Sequence, residues 1–229
     1  MRKDLLDKIN SFADSLAKVS TWKNSKDAFG NIIEYKNGVE KVSQSDYIYE
    51  FYCYMKIIED LNKKSNQNVK FIKGNGIFPR KPVIKKNRPY FILEVDNKEI
   101  FQICSGTQIQ TKLKNIKKAP DISFQSITSD DDLPSYNDIL AIYDAKYSES
   151  KKAISFQEGQ MVLFNRMIRL LRQENPTNIE IYYTDYIDFK GNCLITNKKS
   201  YTTDIDELNE EKITVIEYFD EKQKFNAIK

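Results

Sequence analysis

The pattern of apolar and polar positions predicts one buried helix followed by a series of strands. Residues 46–61 carry apolar side chains at helical spacing, which indicates a helix that is buried nearly all round. Residues 91–95 and 99–110 predict a strand pair that turns at Asp96-Asn97. Further along, a helix is expected over 155–173, and strands over 178–186, 193–196 and 213–218. This order predicts a mixed sheet flanked by helices.

One strand candidate ends in charged residues. Residues 139–143 are five apolar residues in a row, which is typical of a strand buried on both faces. Because side chains alternate along a strand, Asp144 and Lys146 are expected on the same face as Ile142. The opposite face then carries Tyr143, Ala145 and Tyr147. A carboxylate and an ammonium group therefore leave the core side by side.

A second acid begins the preceding strand candidate. Pro120 biases Ala119 towards an extended conformation, so a strand is expected to start at or near Asp121. If this strand pairs with residues 139–146, Asp121 and Asp144 can face one point. Two aspartates beside a lysine suit Mg²⁺, which typically takes one or two carboxylates and completes its octahedron with water and substrate phosphate. The alternative is a salt-bridged strand end without a metal ion.

A third acid lies in the predicted helix over 46–61. Glu50 stands between two apolar runs, residues 47–49 and 51–55. Buried carboxylates are costly unless they are paired or bound to a cation. Glu50 is therefore a candidate for the same site, unless it reaches solvent or pairs with a lysine.

These acids and the lysine together resemble a known nuclease pattern. Their order in the chain is Glu50, Pro120-Asp121 and Asp144-Ala145-Lys146. This order resembles the PD-(D/E)xK nuclease superfamily, in which a helix acid, a Pro-Asp and an Asp/Glu-x-Lys surround one or two Mg²⁺ ions. More narrowly, residues 49–56, 120–122 and 144–147 are similar to the nuclease domain of McrC-like restriction proteins, a likeness that covers roughly residues 45–185.

The resemblance implies a fold and a set of roles. The fold would be α/β, with a restriction-endonuclease-like core whose mixed central sheet is flanked by helices. Asp121 and Asp144 would hold Mg²⁺, Glu50 would complete the metal site, and Lys146 would position the attacking water. Gln160 matches a glutamine that often approaches such sites from the following helix, although an ordinary solvated residue is the alternative. Mn²⁺ is expected to substitute for Mg²⁺.

The resemblance also implies a biological setting. McrC-like proteins imply a separate McrB-like nucleotide-hydrolysing partner, and this chain has no GxxxxGK[ST] loop of its own. We therefore expect a metal-dependent endodeoxyribonuclease that serves a restriction or anti-phage defence system. The alternative is a non-catalytic nucleic-acid-binding or assembly subunit that kept the fold. Departures from the pattern are a long acidic loop over 126–137 and unmatched regions before residue 46 and after residue 185.

Composition narrows the chemistry. The 229 residues include no histidine, which excludes Ser-His-Asp catalysis, Cys-His catalysis and histidine-ligated metal nucleases within this chain. The three cysteines are far apart and form no Cys-x-x-Cys pair, so a disulfide framework or a zinc site is not expected. No apolar run approaches about 18 residues, and the amino terminus is charged. We therefore expect neither a membrane span nor a signal peptide, and a cytoplasmic protein.

Two basic stretches adjoin the candidate site in the sequence. The net charge is only +3, so the distribution of charge is more informative than its sum. Residues 68–89 contain seven lysines or arginines without one acid, and residues 112–118 form a second basic cluster. Both are expected to contact the phosphate backbone of DNA, with solvated basic loops as the alternative. The candidate nucleic-acid-binding residues are Lys73, Arg80, Lys81, Lys85, Lys86, Arg88, Lys117 and Lys118.

The expected layout is one nuclease core with additions at both ends. Residues 1–45 form an N-terminal helix and loop extension, whose amphipathic helix over 2–20 packs on the core or, in the alternative, docks to a partner. Residues 46–190 form the core, and residues 191–229 add strands packed on it. The oligomeric state is open between a monomer and a homodimer.

Overall fold

The computed structural model describes the residues that build a sheet and its main helix. These are residues 7, 9–12, 14, 35–36, 39–40, 45–63, 67–72, 74, 78, 83–86, 88–110, 119–129, 132–147, 154–155, 164, 167, 192–198, 200–201, 213–217 and 219.

The regular elements with described bounds are one long helix, a 3₁₀ turn and a series of short strands. Helix α1 spans Ser45–Asn62, and a 3₁₀ turn spans Tyr136–Asp138. The strands are β1 (Tyr35–Lys36), β2 (Val39–Glu40), β3 (Gln67–Ile72), β4 (Tyr90–Val95), β5 (Lys98–Ser105), β6 (Ile122–Ser126), β7 (Ile139–Lys146), β8 (Ile154–Ser155), β9 (Asn192–Thr196), β10 (Ser200–Tyr201) and β11 (Ile213–Ile216).

Among the described residues, the main sheet has seven strands in the order β11-β9-β7-β6-β5-β4-β3. From β3 to β7 each strand runs antiparallel to the next. In contrast, β9 is parallel to β7, and β11 is parallel to β9. The protein is therefore α/β with a mixed sheet, which confirms the prediction at this level. The strands expected at the C-terminal end extend this same sheet.

The turn between β4 and β5 follows the sequence prediction. Asp96 and Asn97 have positive φ angles of 50° and 63°. Positive φ at both central residues is the geometry of a type I′ hairpin, and Asp and Asn tolerate it better than most residues. The sequence predicts that the second strand continues to residue 110, but β5 ends at Ser105. The reason is Gly106, which turns the chain with a φ of 59°.

Helix α1 covers one face of the sheet. Every side chain from residue 48 to 58 is buried except that of Glu50, which is half-buried. The Tyr54 hydroxyl donates a 2.9 Å hydrogen bond to the carbonyl of Ile103 in β5, so the helix is also tied to the sheet by a polar contact. Full burial of a large apolar side chain contributes about 1.5–3 kcal/mol, which makes this packing a main source of stability. Among the described residues, no helix is long and apolar enough to cross a membrane.

Strand β7 separates two clusters of apolar side chains. Tyr143 and Ala145 belong to the cluster beneath α1. Ile142 instead packs with Leu194 and Phe164 on the opposite face. The first five residues of β7 are all buried. The prediction of a strand covered on both faces is therefore confirmed.

The described part of the N-terminal helix packs on the core. Residues 9–12 are helical, and Ile9 is buried in the cluster beneath α1. Phe12 packs against the same cluster, with its ring centroid 5.7 Å from that of Tyr52. Of the two readings of this helix, these contacts agree with packing on the core.

Two parts of the structure differ from the sequence prediction. Strand β3 occupies the start of the basic stretch, which was expected to contact DNA or to form a solvated loop. It joins the sheet because the side chains of Val69 and Phe71 are buried under α1. Ser155 was expected to begin a helix but belongs to β8, which pairs with β10. Within that predicted helix, residues 164 and 167 are helical. The strand predicted over 178–186 lies outside the described residues.

Candidate active site

Asp121, Asp144 and Lys146 meet at one end of β6 and β7. The Lys146 Nζ lies 2.7 Å from Asp144 Oδ2 and 3.9 Å from Asp121 Oδ2. Each aspartate side chain is 16% exposed, and the lysine side chain is 23% exposed. The group is therefore shielded from bulk water but accessible to a ligand.

The strand register explains why Asp121 and Asp144 converge. Ile122 in β6 pairs with Tyr143 in β7, which places the residue before Ile122 beside the residue after Tyr143. The Ala145 amide donates a 2.7 Å hydrogen bond to Asp121 Oδ2. This bond holds the Asp121 carboxylate against β7.

Helix α1 adds a third carboxylate. It reaches this end of the sheet because Tyr49 packs on Tyr147, with ring centroids 5.4 Å apart. Glu50 is the next residue, and its negative charge acts on both Asp121 and Lys146. One helix and two strands thus bring four charged side chains within electrostatic reach of one another.

Among the described residues, the site carries more negative than positive charge when all groups are ionised, because three carboxylates lie within electrostatic reach of one ammonium. Burial raises the pKa of Asp121 well above its usual value, and repulsion from Asp144 and Glu50 raises it further. Burial alone would lower the pKa of Lys146, but attraction to Asp144 and Asp121 outweighs burial and raises it. The lysine is therefore charged, and the surplus carboxylate charge favours binding of a proton or a cation.

The donor atoms suit a hard cation that keeps part of its water shell. Mg²⁺ prefers oxygen ligands and usually binds proteins through one or two carboxylates. In the part of the chain that the structure describes, no three histidine, cysteine, aspartate or glutamate side chains are arranged to hold a metal ion. The geometry therefore offers a carboxylate pair, Asp121 and Asp144, rather than a cage made wholly of protein ligands.

The structure describes only some of the other predicted site residues. Those outside the described residues are Gln160, Lys73, Arg80, Lys81, Lys117 and Lys118. Lys86 is 56% exposed and forms a 3.0 Å ion pair with Asp132. Arg88 is partly exposed and lies close by along the chain. Lys86 and Arg88 are therefore accessible to an anionic ligand.

Lys85 does not fit the prediction of a surface phosphate contact. Its side chain is buried, and its ammonium donates to Gln102 Oε1 and, at 3.3 Å, to Ser129 Oγ. It also lies over the Tyr90 ring, 4.9 Å from the centroid. The Lys85 amide donates a 3.0 Å hydrogen bond to the carbonyl of Asp132, which ties this segment to the loop between β6 and β7. Charge pattern alone does not distinguish such a lysine from a solvated one.

A buried polar network, which the sequence did not predict, lies on the face of the sheet that carries Asp121. Ser129 Oγ donates a 3.0 Å hydrogen bond to Gln125 Oε1, and Gln125 Nε2 donates one of 2.9 Å to Ser123 Oγ. Strand alternation places Ser123 and Gln125 on the same face as Asp121. Polar residues at every second position of β6 were the signal that could have revealed this network.

Comparisons with protein-family models, curated proteins and solved structures give no match for this chain. A functional conclusion therefore depends on the geometry and charge of the site itself.

Proposed function

We propose that this chain is a Mg²⁺-dependent nuclease that hydrolyses phosphodiester bonds in DNA. The observation that carries the proposal is the contact of one lysine with two aspartates, at 2.7 Å and 3.9 Å, on neighbouring strands. A carboxylate pair for a metal ion and an ammonium for developing negative charge are what phosphodiester hydrolysis requires. The resemblance of these residues to PD-(D/E)xK nucleases points to the same chemistry.

Each residue has a role that follows from its position. Asp121 and Asp144 supply oxygen ligands for Mg²⁺, which when bound lowers the pKa of a coordinated water and neutralises phosphate charge. Lys146 positions the attacking water and faces the charge that builds on phosphorus. Glu50 completes the site directly or through a water. The Ala145 amide keeps the Asp121 carboxylate oriented throughout.

The proposal extends to the finer description of the fold. In a restriction-endonuclease-like core, the acids lie on adjacent strands of a mixed sheet that is flanked by helices. We assign residues 46–190 to this core, residues 1–45 to an N-terminal extension and residues 191–229 to additional strands. Gln160 would approach the acids from the helix that follows β7.

We also propose the setting that the McrC-like resemblance implies. The chain would be the cleavage subunit of a cytoplasmic restriction or anti-phage system. A separate McrB-like protein would hydrolyse nucleotide, because this chain has no phosphate-binding loop of that kind. A homodimer would present two such sites to the two strands of a duplex.

One observation favours a second candidate, a binding or assembly subunit without catalysis. Asp144 is already paired with Lys146, and the raised pKa of Asp121 favours a proton on that carboxyl group. The acids can therefore be satisfied without a metal ion. In this case the accessible cations Lys86 and Arg88 would carry the function.

Metal-dependent cleavage separates the two candidates. Wild-type protein should cut plasmid DNA with Mg²⁺ or Mn²⁺ but not with EDTA, and Asp144→Asn should abolish cutting while DNA affinity is retained. The matched control is Asp138→Asn, because Asp138 accepts hydrogen bonds from Ser135 in a turn at the opposite end of β7. A wild-type protein that binds DNA but is inert with every divalent cation would favour the binding subunit.

A further inference from the structure

A basic pocket lies beside the turn that precedes β4. Its volume is about 290 Å³, close to the smallest pockets that hold small molecules, about 300 Å³. Lys85, Lys86 and Arg88 line it together with Asp132 and Tyr90. Three cations and one acid give these residues a net charge of +2. A concave surface with this charge is suited to a compact anionic group.

Hydrogen bonds fix the turn that forms the pocket, and they hold the Lys85 ammonium in place before any ligand binds. The Arg88 amide donates a 2.8 Å hydrogen bond to the carbonyl of Lys85, which closes the turn. The Lys85 side chain is 2% exposed, and Gln102 and Ser129 accept hydrogen bonds from its ammonium. Lys85 therefore adds its positive charge from beneath the pocket, and Lys86 and Arg88 are the cations that a ligand can contact directly.

The ion pair at the edge of the pocket can be replaced by a ligand. Lys86 and Asp132 are 3.0 Å apart, but their side chains are 56% and 55% exposed. Exposed ion pairs contribute little to stability, because water screens them and both side chains lose rotamer freedom. An anion that contacts Lys86 and Arg88 together can therefore displace the Asp132 carboxylate.

We propose that this pocket binds a terminal phosphate, the phosphomonoester at the end of a DNA strand or on a free nucleotide. A phosphomonoester carries about −1.5 to −2 charges at neutral pH, which matches the pocket, whereas an internal phosphodiester carries about one. A terminal group can also enter a pocket end-on, while an internal phosphate is tied to the chain on both sides. Arg88 can bind two phosphate oxygens through its planar guanidinium.

The backbone ties this pocket to the candidate active site. The Val83 amide, two residues before Lys85, donates a 3.1 Å hydrogen bond to the carbonyl of Gly106. The Gly106 amide in turn donates a 3.0 Å hydrogen bond to the carbonyl of Asp121. The distance between pocket and acids is therefore set by the sheet.

That distance predicts where a bound strand would be cut. Lys85 contacts Gln102, and Gln102 pairs with Gln125, which lies four residues after Asp121. Four residues of β-strand span about 14 Å. At about 3.4 Å per nucleotide of duplex strand, this is about four nucleotides. This step rests on the proposed nuclease function, and it places a bond about four nucleotides from the held end over the acids.

Binding is tested with catalysis removed. Asp144→Asn protein in EDTA is titrated against a short, internally labelled DNA duplex that carries 5′-phosphate, 3′-phosphate or only hydroxyl ends. One phosphorylated end should bind about 10- to 100-fold more tightly than the hydroxyl end, as expected for charge-assisted hydrogen bonds. Titration with AMP shows whether a free nucleotide also occupies the pocket.

Matched substitutions locate the effect. Lys86→Gln and Arg88→Gln should remove the preference, while Lys63→Gln, the same charge change at an exposed position of the chain just after α1, should keep it. Equal affinity for all three ends without AMP binding, or a preference that survives both pocket substitutions, overturns the proposal. Cleavage is scored separately, in wild-type protein with Mg²⁺, as products of about four nucleotides from the preferred end. Phosphate preference without any cleavage supports the pocket and rejects the nuclease.

Discussion

Two lysine–aspartate pairs in this protein have the same length but opposite surroundings. Lys56 Nζ lies 2.7 Å from Asp60 Oδ2 on α1, and Lys146 Nζ lies 2.7 Å from Asp144 Oδ2 on β7. Lys56 is buried among apolar side chains, with its ammonium 4.7 Å from the centroid of the Phe219 ring. Lys146 instead lies among three carboxylates and is more exposed. The first pair balances its own charge, and the second leaves a surplus of negative charge.

An ion pair alone therefore does not mark a functional site. The Lys56–Asp60 pair is mostly buried and has no net charge. It therefore contributes to the packing of α1 on the sheet but does not attract a charged ligand. Surplus carboxylate charge costs stability unless a proton or cation binds, and proteins retain such costs mainly where function requires them. Substitutions at the two pairs should therefore separate stability from function.

Removal of Lys56 should affect stability alone, whereas removal of Lys146 should also slow cleavage. Lys56→Met leaves the Asp60 carboxylate without its partner in a mostly buried position, which should lower the free energy of unfolding by about 3–5 kcal/mol. Lys146→Met removes the ammonium that we propose faces the phosphate, which should slow Mg²⁺-dependent cleavage by about 10²–10³-fold. Urea unfolding and plasmid cleavage measure the two effects.

The control for this pair of substitutions is Lys63→Met. Lys63 forms an ion pair with Glu59, but its side chain is 64% exposed. Its loss should change the free energy of unfolding by less than about 1 kcal/mol. If Lys56→Met and Lys146→Met lowered stability equally and cleavage were unaffected in both, the two regions would not differ in the way proposed.

Metal binding should stabilise the protein at Asp121 and Asp144, and the Lys56–Asp60 pair should take no part in it. At about 100 times its dissociation constant, Mg²⁺ or Mn²⁺ should raise the free energy of unfolding by about 2.7 kcal/mol. Asp121→Asn should remove most of this gain, because it takes away one of the two proposed carboxylate ligands. Thermal unfolding against added metal, at constant ionic strength, measures the shift. An equal shift in wild-type and Asp121→Asn protein would place the metal elsewhere, and Asp138→Asn serves as the control that should respond like wild type.

The candidate site could be predicted from sequence because its signals are local. A run of apolar residues indicates β7, and alternation along it places Asp144 and Lys146 on one face. Pro120 marks the start of the preceding strand, β6, and so positions Asp121. The convergence of Asp121 and Asp144 also requires that β6 pairs with β7 in the observed register. The sequence alone does not predict that register.

The basic stretch shows why other residues could not be predicted. Lys70, Lys85 and Lys86 belong to one charge run, yet they have three different environments. Lys70 forms a 2.7 Å cross-strand ion pair with Glu99, Lys85 is buried, and Lys86 lies at the edge of the pocket. Charge and spacing are similar in all three cases, because burial depends on distant segments that pack against them.

Asp121→Asn should stabilise the protein at neutral pH in EDTA. Asparagine keeps an oxygen that accepts the Ala145 N–H but removes a carboxylate whose pKa is raised by burial and by Asp144. We expect a gain of about 0.5–2 kcal/mol in the free energy of unfolding, together with loss of cleavage. Asp60→Asn is the matched substitution in the other pair, and it should destabilise because Lys56 loses its carboxylate. Urea unfolding of both variants is the measurement, and a destabilised Asp121→Asn protein would contradict the proposed charge surplus.

The surplus of negative charge should also appear in the pH dependence of the free energy of unfolding. The slope should be at most about 1.4 kcal/mol per pH unit. The folded protein raises the pKa of Asp121 through burial and then through Asp144 and Glu50, so it binds this proton more tightly than the unfolded chain does. As pH rises above about 4, the unfolded chain releases the proton first. The contribution of Asp121 to stability therefore falls until the pH exceeds the pKa of the folded state, and is constant above it.

The stability difference between Asp121→Asn and wild type should grow from near zero at about pH 4 to a plateau, as measured by urea unfolding in EDTA. A difference that does not change with pH would mean that the folded protein does not repel the Asp121 charge, and the electrostatic basis for a cation site would then be absent.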